Sequence, residues 1–124
     1  MRKMKKNNSI SSAELEIMEI LWESKEPLKI QEICDRAKGG EKNYSTVATL
    51  IGRLKEKGAV SGKKDGKSYY YQPTVNKDKY VKSQTRRLIQ RLYHGSVREL
   101  AASLFKSGEL TKEDLQELRK LLDE

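Results

Sequence analysis

From Asn43 to Gly58 the chain reads N-Y-S-T-V-A-T-L-I-G-R-L-K-E-K-G. Val47, Leu50, Ile51 and Leu54 recur at i, i+3, i+4 and i+7, the spacing of one helix face turned toward a core. Ser45, Ala48, Thr49, Gly52 and Arg53 fall on the other side. That outer face is short and polar until Arg53, where a solvated helix usually carries long charged side chains. Small polar groups beside an arginine suit a helix lying against a flat, crowded surface such as the floor of a DNA major groove. An ordinary surface helix is the competing reading of this stretch alone.

The pattern before it predicts two more helices. Ser11 and Glu14 form an S-x-x-E capping box, and Leu15, Met18 and Trp22, with Ile17, Ile20 and Leu21, make an apolar stripe behind it. Ser24 to Pro27 interrupts. Leu28 to Lys38 reads as a second helix with Ile30, Ile33, Cys34 and Ala37 inward, and Gly39-Gly40 ends it. Cys34 lies in that apolar row and reads as a small buried hydrophobe. Two helices, a glycine-containing turn and a third helix make a helix-turn-helix pattern, one shared by many three-helix domains.

After Gly58 the periodicity changes from helical to alternating. Ala59 to Lys63 predicts a strand, Lys64-Asp65-Gly66-Lys67 a turn, and Ser68 to Gln72 a tyrosine-rich second strand closed by Pro73. Asp-Gly between two β-prone runs is a strong hairpin signal. A basic hairpin directly after a helix-turn-helix is a winged helix. From Asn76 the pattern is helical again: about Lys77 to His94, with Tyr80, Val81, Leu88, Ile89 and Leu92 apolar; Ser96 to Lys106, with Val97, Leu100, Ala101, Leu104 and Phe105 inward; and a last helix capped by Thr111 and Asp114, with Leu115, Leu118, Leu121 and Leu122 on one side. Short helices with narrow stripes bury themselves poorly alone, so a two-fold dimer is expected, with a compact monomeric bundle as the alternative. The expected fold class is mostly α with a small β-wing: a winged helix-turn-helix over residues 1–75, followed by a helical dimerisation domain over residues 76–124.

Composition narrows the partner. The chain has 124 residues, a net charge of +8 and 35% charged residues. Such a balance favours a polyanion, with an anionic membrane as the competitor. Met1 to Asn8 is a short basic arm, and between Lys77 and Arg98 seven basic residues stand against one acidic. No apolar run approaches the roughly 20 residues that span a bilayer, and no signal peptide is visible, so a cytoplasmic protein without membrane insertion is expected. The lone cysteine excludes an internal disulfide.

Catalytic chemistry is not visible. His94 is the one histidine and reads as a helix C-terminal residue favoured by the dipole. No glycine-rich phosphate loop follows a strand, and no ligand-spaced His, Cys or carboxylate cluster appears. No enzyme activity, cofactor or metal is expected. Binding remains: Tyr44, Ser45, Thr46 and Thr49 at base edges, Arg53 on a phosphate, Gly52 allowing close approach to backbone, and Lys63, Lys64 and Lys67 of the wing on phosphates. A sequence-independent nucleic-acid-binding or architectural protein is the main alternative, because net positive charge alone would serve it. A protein-interaction module is a third reading, opposed by the basic wing.

Four segments in this order and spacing resemble the penicillinase repressors of BlaI/MecI type: A-E-L-E-I-M-E-I-L-W at Ala13–Trp22, Y-S-T-V-A-T-L-I-G-R-L-K-E-K-G at Tyr44–Gly58, Y-Y-Y-Q-P at Tyr69–Pro73 and G-E-L-T-K-E-D-L-Q-E-L-R-K-L-L at Gly108–Leu122. The resemblance implies a homodimeric transcriptional repressor that binds double-stranded inverted-repeat operators, often of β-lactam resistance genes. The helical dimerisation domain it implies is the part in which the apolar stripes already put Leu88, Leu92, Val97, Leu100, Leu104, Phe105, Leu115, Leu118 and Leu122 at the dimer contact. In the best-known members a membrane sensor-protease lifts repression by cutting an Asn-Phe bond. The equivalent bond here is Ser103–Leu104; the asparagine is missing and the phenylalanine is displaced to Phe105. A related copper-responsive branch carries a C-terminal cysteine cluster that this chain lacks.

Overall fold

The computed structural model describes residues 9–37 and 43–122. The basic arm at Met1–Asn8 and the Gly39-Gly40 helix stop lie outside them. Along the described chain run α1 (Ser12–Glu23), α2 (Ile30–Arg36), α3 (Tyr44–Glu56), β1 (Val60–Asp65), β2 (Ser68–Pro73), α4 (Lys77–Leu92), α5 (Val97–Lys106) and α6 (Lys112–Leu122). They form two compact units that meet between Tyr80 and Val81. No helix among the described residues is long and apolar enough to cross a membrane.

In the first unit, α1, α2 and α3 enclose a core of Ile17, Met18, Leu21, Ile33, Val47, Leu50, Ile51 and Leu54, extended by Ala59 and Val60 where the chain enters the hairpin. Each fully buried aliphatic side chain contributes about 1.5–3 kcal/mol. Cys34 is buried among them, and burial, then the charge of Asp35, push its thiol up.

The start of α1 is bound to the end of α3. Ser11 Oγ accepts the Glu14 amide at 3.2 Å while Glu14 Oε1 accepts the Ser11 amide at 2.8 Å, a reciprocal capping box. Lys57 Nζ, beside the C-terminus of α3, donates to the same Oε1 and to Ser9 O. Glu14 is only 1% exposed. Burial pushes its carboxyl up, but the Lys57 hydrogen bond, the Ser11 contacts and the Lys57 charge outweigh it and hold it below its ordinary value. The helix itself stops at a Schellman motif: Ala59 N donates to Leu54 O, Gly58 N donates to Lys55 O, and Gly58 takes φ 80°.

The hairpin is tighter than its sequence suggests. The strands extend to a Asp65–Ser68 pair, leaving Gly66 and Lys67 as a two-residue turn. Gly66, with φ 67°, occupies the first central position, as a type II′ turn requires. Lys64 therefore lies in a strand and not in the turn, and Pro73 is the last paired residue, opposite Val60. Leu28 corrects the expected second helix. It lies outside α2 and exchanges both backbone hydrogen bonds with Tyr71, at 2.9 and 2.8 Å, adding a bridge to the hairpin. Pairing and burial of the Leu28 side chain win over its helical spacing, and α2 begins only after Lys29, whose amide donates to Glu32 Oε1.

Beyond the wing, Trp22 Nε1 donates to Val75 O at 2.8 Å, and its ring lies 5.7 Å from that of Tyr80 in the first turn of α4. Lys77 pairs with Glu19 at 3.0 Å. In the second unit, α4 ends at Leu92. His94 lies past the helix end, with φ 50° beside Gly95 at φ 82°, so it belongs to the turn and not to the helix terminus. Ser96 caps α5 by accepting the Glu99 amide, and Thr111 with Asp114 forms the capping box of α6. No residue of α4, α5 or α6 is buried.

Two substitutions test this packing. Lys57→Met strands the Glu14 carboxylate and should lower unfolding free energy by about 3 kcal/mol at neutral pH, toward the low end for a broken buried pair because Lys57 is partly wet. The contribution of a carboxylate with a depressed folded pKa is present above its unfolded value and lost as pH falls through the folded one. The gap between Lys57→Met and the parent in urea titrations should therefore shrink as pH drops below about 4. Gly62→Ala should destabilise by about 1–3 kcal/mol in thermal melts, because its Cβ would sit 2.8 Å from Cε1 of the Tyr71 ring.

Candidate nucleic-acid interface

Tyr44, Ser45, Thr46, Thr49, Gly52 and Arg53 are all exposed on α3, while Val47, Leu50, Ile51 and Leu54 are buried beneath them. Asn43 sets the helix start: its Oδ1 accepts the Thr46 amide at 2.8 Å and the Ser45 hydroxyl at 2.9 Å. Thr49 Oγ1 donates to Ser45 O at 2.9 Å. A Cβ on Gly52 would meet nothing within 4 Å, so no contact within the chain calls for glycine there. Arg53, Lys63, Lys64 and Lys67 are exposed and make no ion pair among the described residues.

Strand alternation divides the basic residues of the wing. Residues paired across an antiparallel ladder share a face, and successive residues alternate. Lys64 and Tyr69 therefore lie on the face of Tyr71, and Lys63 lies with Tyr70 on the other. Tyr71 packs against the core. Burial pushes its phenol up, and the nearby phenols of Tyr44 and Tyr69 add to that shift. Tyr44, the first residue of α3, and Tyr69 of the wing are both more than half exposed. Lys67 sits in the turn.

Asn43 and Tyr69 were not among the residues that the pattern singled out. The cap position of Asn43, three residues before Thr46, and the period of two in Ser68 to Gln72 carry the signals for them.

The second unit presents apolar side chains to the outside. Leu88, Leu92, Val97, Phe105, Leu115, Leu118 and Leu122 are exposed, Leu92 by 65% and Leu122 by 85%, while Leu100 and Leu104 are half-buried. The Ser103–Leu104 bond lies inside α5. Ser103 O accepts the Ser107 amide, Leu104 O accepts the Glu109 and Leu110 amides, and Ser103 Oγ accepts the Tyr93 hydroxyl at 3.1 Å. Among the described residues no group of His, Cys, Asp and Glu could hold a metal ion.

Known proteins match this arrangement. The chain is 28% identical over 121 residues to a penicillinase repressor of Bacillus licheniformis, covering 98% of this chain and 94% of that one. It is 30% identical over 118 residues to the methicillin resistance regulatory protein MecI of Staphylococcus aureus, covering 95% and 96%. The solution structure of the DNA-binding domain of the repressor BlaI superposes with a TM-score of 0.50 at 29% identity, covering 64% of this chain and 94% of that domain. The sequence profile described as penicillinase repressor matches residues 10–124, and the chain belongs to the penicillinase repressor family.

Proposed function

We propose that this protein represses transcription by binding an inverted-repeat operator as a homodimer, with α3 reading bases and the wing holding phosphates. The observation that carries the reading is the exposed, small and polar face of α3, ending in Arg53 and flanked by lysines of the wing that make no ion pair among the described residues. Family membership supports a DNA-binding regulator rather than an enzyme. Tyr44, Ser45, Thr46 and Thr49 face the major groove. Arg53, Lys64 and Lys67 contact backbone, and Lys63, on the opposite face of the hairpin, serves the outer edge of the wing. Gly52 lets the helix approach closely. The names of the relatives favour β-lactam resistance genes as targets.

Residues 1–75 form the DNA-binding part and residues 76–124 the dimerising part. A unit whose three helices have no buried residue among the described ones gains its core from a second copy, whose Leu88, Leu92, Val97, Leu100, Leu104, Phe105, Leu115, Leu118 and Leu122 cover the same residues here, as a two-fold interface requires. Two half-sites held together give the dimer an avidity that one winged helix lacks. Loosening the dimer therefore releases DNA. Cleavage at Ser103–Leu104 by a membrane sensor-protease would do so, but the bond must first leave its helix, since a helical backbone does not fit a protease cleft that binds extended chain. Sequence-independent binding is the second reading, favoured by the net charge of +8.

A gel shift on the promoter of the protein's own operon against a scrambled duplex separates the two: equal affinity for both sinks the repressor reading. Lys64→Ala and Lys67→Ala should each weaken binding to both duplexes alike and lower the slope of log K against log salt by about one. Gly52→Ala should raise thermal stability by about 1 kcal/mol while weakening operator binding; a variant that gains stability and binds as before contradicts close approach. A chain truncated at Ser103 should sediment as a monomer and lose operator binding, and an unchanged dimer would contradict the proposed interface.

A further inference from the structure

Two hydroxyls on the outer face of α3, those of Ser45 and Thr49, have their protons already committed. Asn43 Oδ1 accepts the Thr46 amide, which fixes which side-chain atom is the oxygen, because an amide N–H can only donate to it. The same Oδ1 is 2.9 Å from Ser45 Oγ. It carries no proton, so the Ser45 hydroxyl is the donor. One turn later Thr49 Oγ1 is 2.9 Å from the Ser45 carbonyl oxygen, again an acceptor only, so the Thr49 hydroxyl also donates inward. A hydroxyl has one proton and two lone pairs. With both protons engaged inside the helix, Ser45 and Thr49 present acceptors to whatever faces them, and both are exposed. To donate outward, either would have to rotate and forfeit its internal bond.

Base edges in the major groove differ in what they offer an acceptor. Adenine N6 and cytosine N4 carry amino donors; guanine presents N7 and O6, and thymine O4, all acceptors. We infer that Ser45 and Thr49 determine specificity as hydrogen-bond acceptors, selecting the adenine or cytosine edge of a base pair and rejecting the guanine or thymine edge. Asn43 acts through Ser45 as a positioning residue. The inference rests on α3 being the reading helix and adds the polarity with which it reads.

The test starts from the duplex that the full chain enriches from a randomised pool. In that duplex each adenine is replaced in turn by purine, which lacks the N6 amine, and each cytosine by pyrimidin-2-one, which lacks N4. Loss of one such amine should weaken binding by the parent about tenfold, a difference of about 1.4 kcal/mol. Ser45→Ala or Thr49→Val should weaken binding to the unmodified duplex by a similar factor and be indifferent to the same amine. Thr49→Ser, which keeps the hydroxyl, should retain the sensitivity. The inference is overturned if every amine removal is silent while 7-deazapurines weaken binding in a way that Ser45→Ala and Thr49→Val abolish, since the hydroxyls would then be donors. It is equally overturned if an amine matters to the parent and to both variants alike. A pool from which no duplex is enriched removes the repressor reading and this inference together, whereas the other two failures leave the repressor reading standing.

Discussion

The buried carboxylate of Glu14 fixes the frame on which α3 is presented. It satisfies the free backbone at the start of α1 and receives the lysine at the end of α3, so one side chain closes two helix termini onto each other. A buried charge is tolerated only when its hydrogen bonds are complete, and here the Ser11 amide and the Lys57 ammonium supply them. The far end of α3 is set independently, by the Asn43 cap, whose Oδ1 accepts the Thr46 amide and the Ser45 hydroxyl. A helix held at both ends can keep its middle face bare. That is why small polar residues and a glycine can occupy the outer side of α3 without loss of the helix.

The two units solve the problem of burial differently. The buried apolar residues of the described chain run from Ile17 to Val60, and none lies in α4, α5 or α6. The first unit closes its core with three helices and a hairpin, aided by Leu28, which adds a rung to the hairpin from the loop before α2. The second has sharply defined helix ends, with the Ser96 cap, the Thr111–Asp114 capping box and the glycines Gly95 and Gly108, and little inside them. Local signals are strong there while tertiary burial is weak, the balance expected of elements whose packing partner is another molecule.

Where a signal was local, it could be read from residue types. The Ser11–Glu14 box, the buried row from Val47 to Leu54, the Gly58 stop and the antiparallel hairpin each depend on neighbours a few positions apart. What the pattern missed depends on contacts across the fold. Leu28 has helical spacing to Ile33, but a backbone partner in β2 decides its conformation. The strands run on to Asp65 because Gly66 can take the first position of a two-residue turn, so Lys64 and Lys63 part to opposite faces. His94 has the residue type of a helix end, but the chain passes there through two left-handed residues, His94 and Gly95. In the candidate site, exposure of Ser45, Thr49 and Arg53 followed from periodicity. The internal hydrogen bonds that set the direction of the hydroxyls did not, because they depend on rotamers.

Trp22 is the one tryptophan of the chain. Its indole N–H is engaged by Val75 and its ring lies against Tyr80, at the junction where the wing gives way to α4. With excitation beyond the absorption of the six tyrosines, the tryptophan emission reports on a single place, distant in sequence from the bare face of α3. A shift in that emission on adding DNA or cleaving the chain would follow the contacts of the indole with Val75 and Tyr80, where the wing gives way to α4.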